Sequence, residues 1–436
     1  MNIVIVGTGY VGLVSGVCFA YQGHNVICID NDDNKIKELQ SGRSPIYEPE
    51  VEIFMDRYKN NLHYTTDYKC AFTDADIIFI CVGTPEKSDG SANLQYIYDV
   101  AKQIVKYVRK DIFIAIKSTV PIGTNDKIEK FIRENIIKDI NVNVISNPEF
   151  LSQGTAINDT LNASRIVIGA ESERAKGFMK ELYKNFNAPI IFTNRRSAEM
   201  IKYACNDFLA LKISYINEIA NLCELVGADI SEVTKGMGYD SRIGNKFLKA
   251  GIGYGGSCFP KDTKALHWLA SYHDYEIKTI KAAIEVNEYQ KLKLIKKARK
   301  YYKDFSGITV AILGLTFKPG TDDLREAPSL VNIPLLVEEN AIIKAYDPVG
   351  ENNYINRFPD KIEYCNSIEN ALIEADICFI FTEWSEIVNF NINKFTQLMK
   401  NPIVLDGRNC YKLQDVIGKG FVYESIGRKV ITGDIE

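Results

Sequence analysis

The amino-acid sequence predicts an α/β protein in which two doubly wound parallel sheets are joined by a long central helical segment. Three observations lead to this prediction: a strand, glycine turn and helix at the N-terminus, a long apolar stripe of helical spacing in the middle, and a diverged copy of the N-terminal pattern in the last third. They divide the 436 residues into predicted domains at 1–196, 197–302 and 303–436.

The composition is that of a globular protein, with 46% apolar and 25% charged residues, and the chain is too long for one ordinary core. A net charge of -4 disfavours nucleic acid and membrane surfaces as partners. The apolar stretch at the N-terminus is too short and too rich in glycine for a signal peptide, and no apolar run reaches membrane-spanning length. We therefore expect a cytoplasmic protein.

Cysteine and histidine usage bears on redox state and metals. The ten cysteines show no CxxC spacing, and several fall in apolar strand or helix patterns. This distribution predicts reduced thiols rather than a disulfide framework. Because the four histidines include no metal-ligand spacing such as HExxH, we expect no metal site.

The N-terminal pattern is a β-branched strand at 3–6, the glycine turn GTGYVG at 7–12 and a helix of small and apolar residues through Ala20. A second strand at 25–29 ends in Asp30. This spacing is the dinucleotide fingerprint of a Rossmann domain, in which glycines admit the pyrophosphate and the acidic residue binds ribose hydroxyls. An aspartate there favours NAD. The alternative is a glycine turn used only for helix packing.

Further strands are predicted at 76–82, 112–119 and 142–146, alternating with helical stretches as in a parallel, doubly wound sheet. From Ser197 to Gly227 apolar residues recur every three or four positions, which predicts one long helix whose stripe serves a core or a subunit interface. A second long helix is predicted at about 275–302.

The last third repeats the first in outline, which predicts a second Rossmann-like domain. Its turn contains only Gly314 where the first has three glycines, so we infer that it binds something other than a second dinucleotide. The corresponding segments are ITVAILG at 308–314 with NIVIVG at 2–7, AYDP at 345–348 with CIDN at 28–31, and EADICFIFT at 374–382 with DADIIFICV at 74–82.

A glycine-rich segment, FLKAGIGYGGSCFPKD at 247–262, places Cys258 directly before a predicted helix start at Pro260. The glycines permit positive φ and close approach of the backbone to a ligand. A helix N-terminus and the neighbouring Lys261 would both lower the pKa of a thiol, so we expect a reactive cysteine. A buried structural cysteine beside a glycine turn is the alternative.

Together these motifs resemble those of the UDP-glucose/GDP-mannose dehydrogenase family of nucleotide-sugar 6-dehydrogenases, over nearly the whole chain. The motifs are GTGYVG, CVGTP, KSTVPIGT, NPEF, the helix from Lys202 to Asn206, GYGGSCFPKD and FKPGTDDLRE. The resemblance implies NAD-dependent, four-electron oxidation of UDP-glucose at C6 to UDP-glucuronate, through a thiohemiacetal and a thioester. It also implies a role in polysaccharide biosynthesis and a homodimer or larger homo-oligomer.

The resemblance assigns the catalytic roles. Cys258 would be the nucleophile, while Asp262 and Thr119 would handle protons and water. Lys202 and Asn206, four apart on one helix, would stabilise an alkoxide or thiohemiacetal oxyanion. Taken alone, a lysine on a helix is usually solvated and an aspartate in a first turn usually serves the helix dipole.

Glu149 matches a family glutamate that acts as general base or positions the substrate. Many relatives carry a second glutamate where this chain has Gln153, and because a neutral amide cannot act as a base, we assign Gln153 to binding only. The cofactor residues implied are Gly7, Gly9, Tyr10, Val11, Gly12, Asp30, Lys35, Thr84, Thr119, Gln153, Lys261 and Arg325. The substrate residues implied are Glu149, Phe150, Leu151, Ser152, Gln153, Lys202, Asn206, Phe247, Leu248, Lys249, Ala250, Gly251, Gly255 and Lys318, with Arg242 serving a neighbouring subunit's site.

Three alternatives stay open. A sibling enzyme could oxidise GDP-mannose or a UDP-N-acetylhexosamine, although Ser257 replaces the histidine typical of the latter, and Tyr254 and Phe259 differ from the residues typical of GDP-mannose enzymes. An NAD-sensing scaffold would be expected to have lost Cys258, Lys202 or Asp262, and all three are present. A dehydrogenase of the 3-hydroxyacid type would need no thiol and would form one NADH per substrate.

Overall fold

The computed structural model describes residues 1–136, 140–358 and 360–433. The chain divides into two compact units, which we call unit 1 (Met1–Cys205 with Trp268–His273) and unit 2 (Asn206–His267 with Asp274–Glu436). The finer division into three domains stays a prediction. Within the described ranges, every helix is too short or too polar to cross a bilayer.

Unit 1 contains a sheet that, in the described residues, has eight strands in the order β3-β2-β1-β4-β5-β6-β7-β8. Neighbouring strands run parallel except β6 and β7, which are antiparallel. The first six positions have the doubly wound order that the alternation of strands and helices predicts. The strands are β1 Asn2–Val6, β2 Asn25–Ile29, β3 Leu62–Thr65, β4 Ile77–Ile80, β5 Ile112–Ile116, β6 Val142–Ser146, β7 Ile166–Gly169 and β8 Ile190–Thr193.

Helices cover both faces of this sheet, because alternate residues of its strands face opposite ways. In β1, Ile3 and Ile5 belong to one buried cluster, whereas Val4 and Val6 belong to another. The helices are α1 Tyr10–Tyr21, α2 Asp33–Gln40, α3 Val51–Arg57, α4 Tyr68–Thr73, α5 Gln95–Tyr107, α6 Thr124–Asn135, α7 Ala156–Leu161 and α8 Glu173–Leu182.

Helix α9 (Arg195–Val226) is the long helix that the apolar stripe predicts. It ends as expected at Gly227, which has φ 77° and donates its N–H to the Cys223 carbonyl. The chain passes from unit 1 to unit 2 between Cys205 and Asn206, within this helix.

Unit 2 contains the second doubly wound sheet, all parallel in the described residues, with the order β11-β10-β9-β12-β13-β14. This is the same order as the first six strands of unit 1, so the fold class predicted from the internal repeat is confirmed. The strands are β9 Thr309–Leu313, β10 Ile342–Tyr346, β11 Glu363–Tyr364, β12 Ile377–Ile380, β13 Ile403–Asp406 and β14 Val422–Glu424.

The prediction of a single helix at 275–302 is wrong, since two shorter helices, α12 (Lys278–Lys291) and α13 (Lys293–Ala298), lie there with a break at Leu292. The reason is a tertiary contact: the Lys291 carbonyl accepts a hydrogen bond of 2.8 Å from the Asn332 side chain. The helices that follow α9 are α10 Ile230–Gly238, α11 Phe259–Tyr272, α12 Lys278–Lys291, α13 Lys293–Ala298, α14 Ser329–Glu338, α15 Glu351–Ile355, α16 Ile368–Leu372, α17 Ser385–Val388, α18 Asn393–Leu398 and α19 Leu413–Val416. They belong to unit 2, except for residues 268–272 of α11, which belong to unit 1.

The two sheets share one turn geometry after their first strand. Gly7 and Gly314 have φ 100° and 88°, and their N–H groups donate to the carbonyls of Ile29 and Tyr346. A Cβ would lie 2.8 Å from the Cys81 carbonyl oxygen at Gly7 and 2.4 Å from a Thr382 carbon at Gly314. Glycine is therefore required at both positions.

Candidate active site

The turn at 7–12 has the form that a dinucleotide pyrophosphate requires. Gly9 precedes α1 without a side-chain cap, so the first N–H groups of the helix have no capping side chain. A Cβ at Gly9 would meet nothing within 4 Å, whereas one at Gly12 would lie 1.8 Å from the Gly7 carbonyl oxygen. The turn is therefore open outward and tightly packed inward, which fits NAD.

Asp30 lies at the carboxyl end of β2. Its Oδ2 accepts hydrogen bonds of 2.9 and 2.8 Å from the backbone and hydroxyl of Thr8, and its Oδ1 accepts one of 3.1 Å from the Asp32 N–H. Burial raises the pKa of Asp30, but the hydrogen bonds from Thr8 and Asp32, together with the Lys35 charge, outweigh it, and the pKa is lowered overall. The carboxylate is thus held ionised, as an acceptor for ribose hydroxyls must be.

Asp347 is the counterpart of Asp30 in unit 2, but its carboxylate is already saturated. Its Oδ2 accepts hydrogen bonds from the backbone of Leu315 and Thr316 and from the Trp384 indole, at 2.6, 3.1 and 3.1 Å. Its Oδ1 accepts from the N–H of Gly350 at 2.7 Å. This difference supports the inference that the second sheet binds something other than a dinucleotide.

Other predicted cofactor residues of unit 1 are placed at or near the carboxyl ends of the strands. The Thr84 hydroxyl donates to the Thr119 carbonyl at 2.8 Å, so these two residues are brought together. The Tyr10 hydroxyl donates to the Tyr47 carbonyl at 3.2 Å. Lys35 lies in the first turn of α2.

Glu149 and Lys202 form a buried ion pair in unit 1. The Lys202 Nζ donates to Glu149 Oε1 at 2.9 Å, with 4% and 7% of the two side chains exposed. The other carboxylate oxygen accepts the Leu151 N–H at 2.7 Å. The Phe150 ring lies 5.3 Å from Lys202 Nζ and 4.0 Å from the Arg165 guanidinium. Both predicted residues therefore belong to one desolvated charge cluster.

Sequence reasoning missed Lys117, which directly follows β5 in the KSTVPIGT motif. Its side chain is buried and lines a cavity of about 40 Å³ together with Glu149 and Asn147. Burial lowers the pKa of Lys117, against the opposing influence of Cys81 and Glu149. The only sequence signal for Lys117 was its place in the KSTVPIGT motif, and nothing in that motif indicates that its side chain is buried.

Glu199 was also missed, although it lies one turn before Lys202 on α9. Its carboxylate accepts hydrogen bonds from the N–H groups of Gly123 and Asn125, at 2.5 and 2.8 Å, and from the Asn125 amide at 2.7 Å. Glu199 thereby accepts hydrogen bonds from N–H groups at the N-terminus of α6 that have no partner within the helix, and it holds the loop that follows Thr119 in place.

In unit 2, Cys258 directly precedes α11, as predicted. The Asp262 N–H donates to the Cys258 carbonyl at 2.8 Å, which starts the helix at the cysteine. All ten cysteines lie in the described residues and form no disulfide; Cys70 and Cys258 are the two exposed ones. An exposed thiol at the first turn of a helix is placed for nucleophilic chemistry.

Asp262 is 1% exposed and is held by two of the predicted residues. Asn206 Nδ2 donates to Asp262 Oδ2 at 2.7 Å, and the Lys261 ammonium pairs with Oδ1. The structure therefore brings together Asn206, Lys261 and Asp262, which the sequence places in two separate segments. This carboxylate is one helical turn from Cys258.

The segment Phe247–Cys258, here called the thiol loop, is held firmly within unit 2. Asn287 exchanges two side-chain hydrogen bonds with the Tyr254 backbone, at 2.8 and 3.1 Å. A Cβ would lie 2.5 Å from the Glu326 carbonyl oxygen at Gly255 and 2.8 Å from the Phe317 ring at Gly256. Glycine is therefore required at both positions, because the neighbouring groups approach too closely for a Cβ.

The remaining predicted substrate residues differ in exposure. Phe247 has φ 62° and is exposed, whereas Leu248 and Ala250 are buried. The Lys249 Nζ lies 3.6 Å from the Oε1 atom of Glu383. Arg242 is 87% exposed and pairs with Asp240, Arg325 pairs with Asp323, and Lys318 lies over the Phe317 ring. In unit 1, Leu151 and Gln153 are half-buried and Ser152 is exposed.

We predict that Asp30→Asn weakens NAD binding by about tenfold and narrows the preference for NAD over NADP, because it removes a charged acceptor for the ribose. Asparagine keeps an acceptor for Thr8, so the fold is retained. Calorimetric titration with both nucleotides measures the effect without turnover. Asp33→Asn, at an exposed neighbouring carboxylate, is the control. Unchanged affinities in D30N would exclude Asp30 from the cofactor site.

The chain matches three domains of one family. Residues 1–187 match the UDP-glucose/GDP-mannose dehydrogenase family NAD binding domain, residues 196–289 its central domain and residues 311–413 its UDP binding domain. The first match confirms the prediction of NAD as cofactor. The family is one of dehydrogenases, which confirms the prediction of an NAD-dependent oxidoreductase.

Individual relatives match over the full length. UDP-glucose 6-dehydrogenase YwqF of Bacillus subtilis (strain 168) is 49% identical over 433 residues, covering 99% of this chain and 98% of the relative. UDP-glucose 6-dehydrogenase of Rhizobium meliloti (strain 1021) is 43% identical, covering 98% and 100%. The solved structure of a UDP-glucose dehydrogenase from Pyrobaculum islandicum matches with a TM-score of 0.92 and 34% identity, covering 98% of each chain. The chain therefore belongs to the UDP-glucose/GDP-mannose dehydrogenase family.

Proposed function

We propose that the protein oxidises the C6 hydroxymethyl group of UDP-glucose to the carboxylate of UDP-glucuronate, in two successive oxidations that pass through a thioester on Cys258. The observation that carries the proposal is the exposed thiol at the start of α11, one turn from the buried Asp262 carboxylate, in a chain of this dehydrogenase family. The choice of UDP-glucose rests on the names of relatives at 49% and 43% identity.

The first oxidation removes a hydride from C6 and a proton from the C6 hydroxyl group. The turn at 7–12 and Asp30 would hold NAD, which would supply the hydride acceptor for each oxidation. Lys202 supplies a positive charge to the oxygen as it loses its proton, and because the Glu149 pair is desolvated, this charge acts more strongly than it would in water. The product is the C6 aldehyde.

An aldehyde does not readily release a second hydride until a nucleophile adds to it. The Cys258 thiolate forms a bond to C6, and the carbonyl electron pair moves onto oxygen, where a proton completes the thiohemiacetal. Loss of a second hydride from C6 and of the hydroxyl proton gives the thioester. The Asn206 amide is assigned to this oxyanion and is oriented by its hydrogen bond to Asp262.

Hydrolysis completes the reaction. Water adds to the thioester carbon, the C–S bond breaks, and the thiolate of Cys258 leaves with its electron pair. Asp262 and Glu149, with Thr119, are the groups assigned to the protons of this step. The overall change converts one alcohol, two NAD and one water into one carboxylate, two NADH and three protons.

The test is the stoichiometry with purified protein. We expect two NADH for each UDP-glucose consumed, and one oxygen atom of the new carboxylate should derive from ¹⁸O-labelled water. GDP-mannose and UDP-N-acetylmannosamine are offered in parallel at equal concentration, and we expect slower turnover of both. A ratio near one would exclude the thioester route, whereas faster oxidation of GDP-mannose would change the substrate.

We also propose a homodimer or larger homo-oligomer, as the apolar stripe of α9 suggests. Phe208, Tyr215 and Leu222 recur at intervals of seven along the helix and are 60%, 50% and 53% exposed. Large side chains exposed in one stripe favour association through that helix face. Arg242, which the resemblance assigns to a neighbouring subunit's site, is likewise exposed.

A further inference from the structure

A second carboxyl group is buried beside the cluster of Asp262, Asn206 and Lys261, here called the Asp262 cluster. Asp207 follows Asn206 on α9 and is 2% exposed. Both of its carboxyl oxygens are buried, and neither has a hydrogen-bond partner in the part of the chain that the structure describes. Asn206 and Lys261 both donate to Asp262, so the donors of this cluster serve one carboxylate and not the other.

Ionisation of the Asp207 carboxyl group is energetically unfavourable. A carboxylate that loses its hydration without gaining donors takes up a proton instead. Burial first, and then the negative charge of Asp262, raise the pKa of Asp207 to about 8, although the Lys261 ammonium acts in the opposite direction. On the thiol loop, Tyr254 is a titratable group that interacts with Asp207. Burial raises the pKa of Tyr254 to about 12, and the negative charge of Asp207 acts in the same direction.

We propose that Asp207 is a positioning residue that acts through Asp262 and must remain a neutral acid for the reaction to proceed, a role that rests on the proposed function. As an acid, Asp207 places no second negative charge beside Asp262, so Lys261 and Asn206 stay engaged with that carboxylate. Once ionised, it competes for the Lys261 ammonium and opposes the negative charge that develops on the substrate oxygen.

The proposal predicts that kcat falls at alkaline pH and that this fall depends on Asp207. Between pH 7 and pH 9, loss of one proton with a pKa near 8 leaves about a tenth of the molecules in the active form. The ratio of the kcat of the wild type to that of Asp207→Asn should therefore fall about tenfold over this interval. Because both proteins keep Cys258, the ratio cancels the common effect of thiol ionisation. Asp207→Glu should restore the alkaline fall.

A second readout needs no turnover. Infrared difference spectra of the substrate-free protein should show the carbonyl band of a protonated carboxylic acid that disappears near pH 8 in the wild type and is missing in D207N. Glu285→Gln, at an exposed carboxylate of α12, is the matched control and should change neither the band nor the kcat ratio.

The two readouts separate the possible failures. A titrating band together with a falling ratio supports the proposal. If the band is missing, the neutral acid is excluded; if the band titrates while the ratio stays constant, Asp207 does not position Asp262. Absence of UDP-glucose oxidation by the wild type would overturn the proposed function together with this role, and the infrared band would still report the protonation state.

Discussion

Replacement of Cys258 by serine is expected to reduce release of UDP-glucuronate by on the order of a thousandfold or more, while NAD binding is retained. A hydroxyl at this position is a far weaker nucleophile than a thiolate at neutral pH, so the aldehyde is trapped slowly. An oxygen ester that does form persists, because an alkoxide leaves less readily than a thiolate. The variant should therefore accumulate covalently bound sugar.

Rapid quenching followed by intact-protein mass spectrometry measures the adduct, and chromatography measures the acid. Cys70→Ser is the matched control, since Cys70 is the other exposed thiol of the described chain and lies on α4 in unit 1. It should release the acid at the wild-type rate. Undiminished UDP-glucuronate production by C258S would remove Cys258 from the mechanism.

Lys202→Met is expected to lower both activity and stability, for separate reasons. It leaves Glu149 as a buried carboxylate without its 2.9 Å partner, which typically costs about 3–5 kcal/mol of the free energy of unfolding. It also removes the cation assigned to the substrate oxygen, for which a fall in kcat of roughly 10²–10³ is expected. Urea denaturation and steady-state kinetics measure the two effects.

The double variant Glu149→Gln with Lys202→Met distinguishes the loss of stability from the loss of activity. Because both members of the ion pair are replaced, neither is left buried without its partner, so most of the stability should return while the activity stays low. Lys59→Met is the control, because the Lys59–Asp56 pair is exposed and its loss should cost less than about 1 kcal/mol. Full activity in K202M would exclude Lys202 from charge stabilisation.

The local patterns in the sequence were sufficient for the doubly wound fold class of both sheets, but they did not predict the antiparallel pairing of β6 with β7. The strands at 25–29 and 142–146 lie where alternation and β-branched residues place them, and the repeat at 308–314 marks β9. The position of Cys258 before a helix was also predictable, because Pro260 and the following apolar spacing are local signals. These features depend on neighbours within a few residues.

Features that depend on distant contacts were not predictable from such signals. The break at Leu292 arises from a hydrogen bond to Asn332, forty residues further along the chain. Lys117 and Asp207 look like ordinary charged residues in the sequence, and only the surrounding packing shows that they are buried. The ionisation of a group follows from its desolvation and its neighbours, which a single sequence does not display.

The saturated Asp347 has a consequence for engineering. The turns after β1 and β9 look interchangeable, so restoring the missing glycines after Gly314 would be the obvious way to give the protein a second NAD site. That graft should fail to bind NAD, because the carboxylate needed for the ribose is already committed to backbone N–H groups and the Trp384 indole. Its lone pairs stabilise the second sheet itself, so freeing them would cost stability before any ligand could bind.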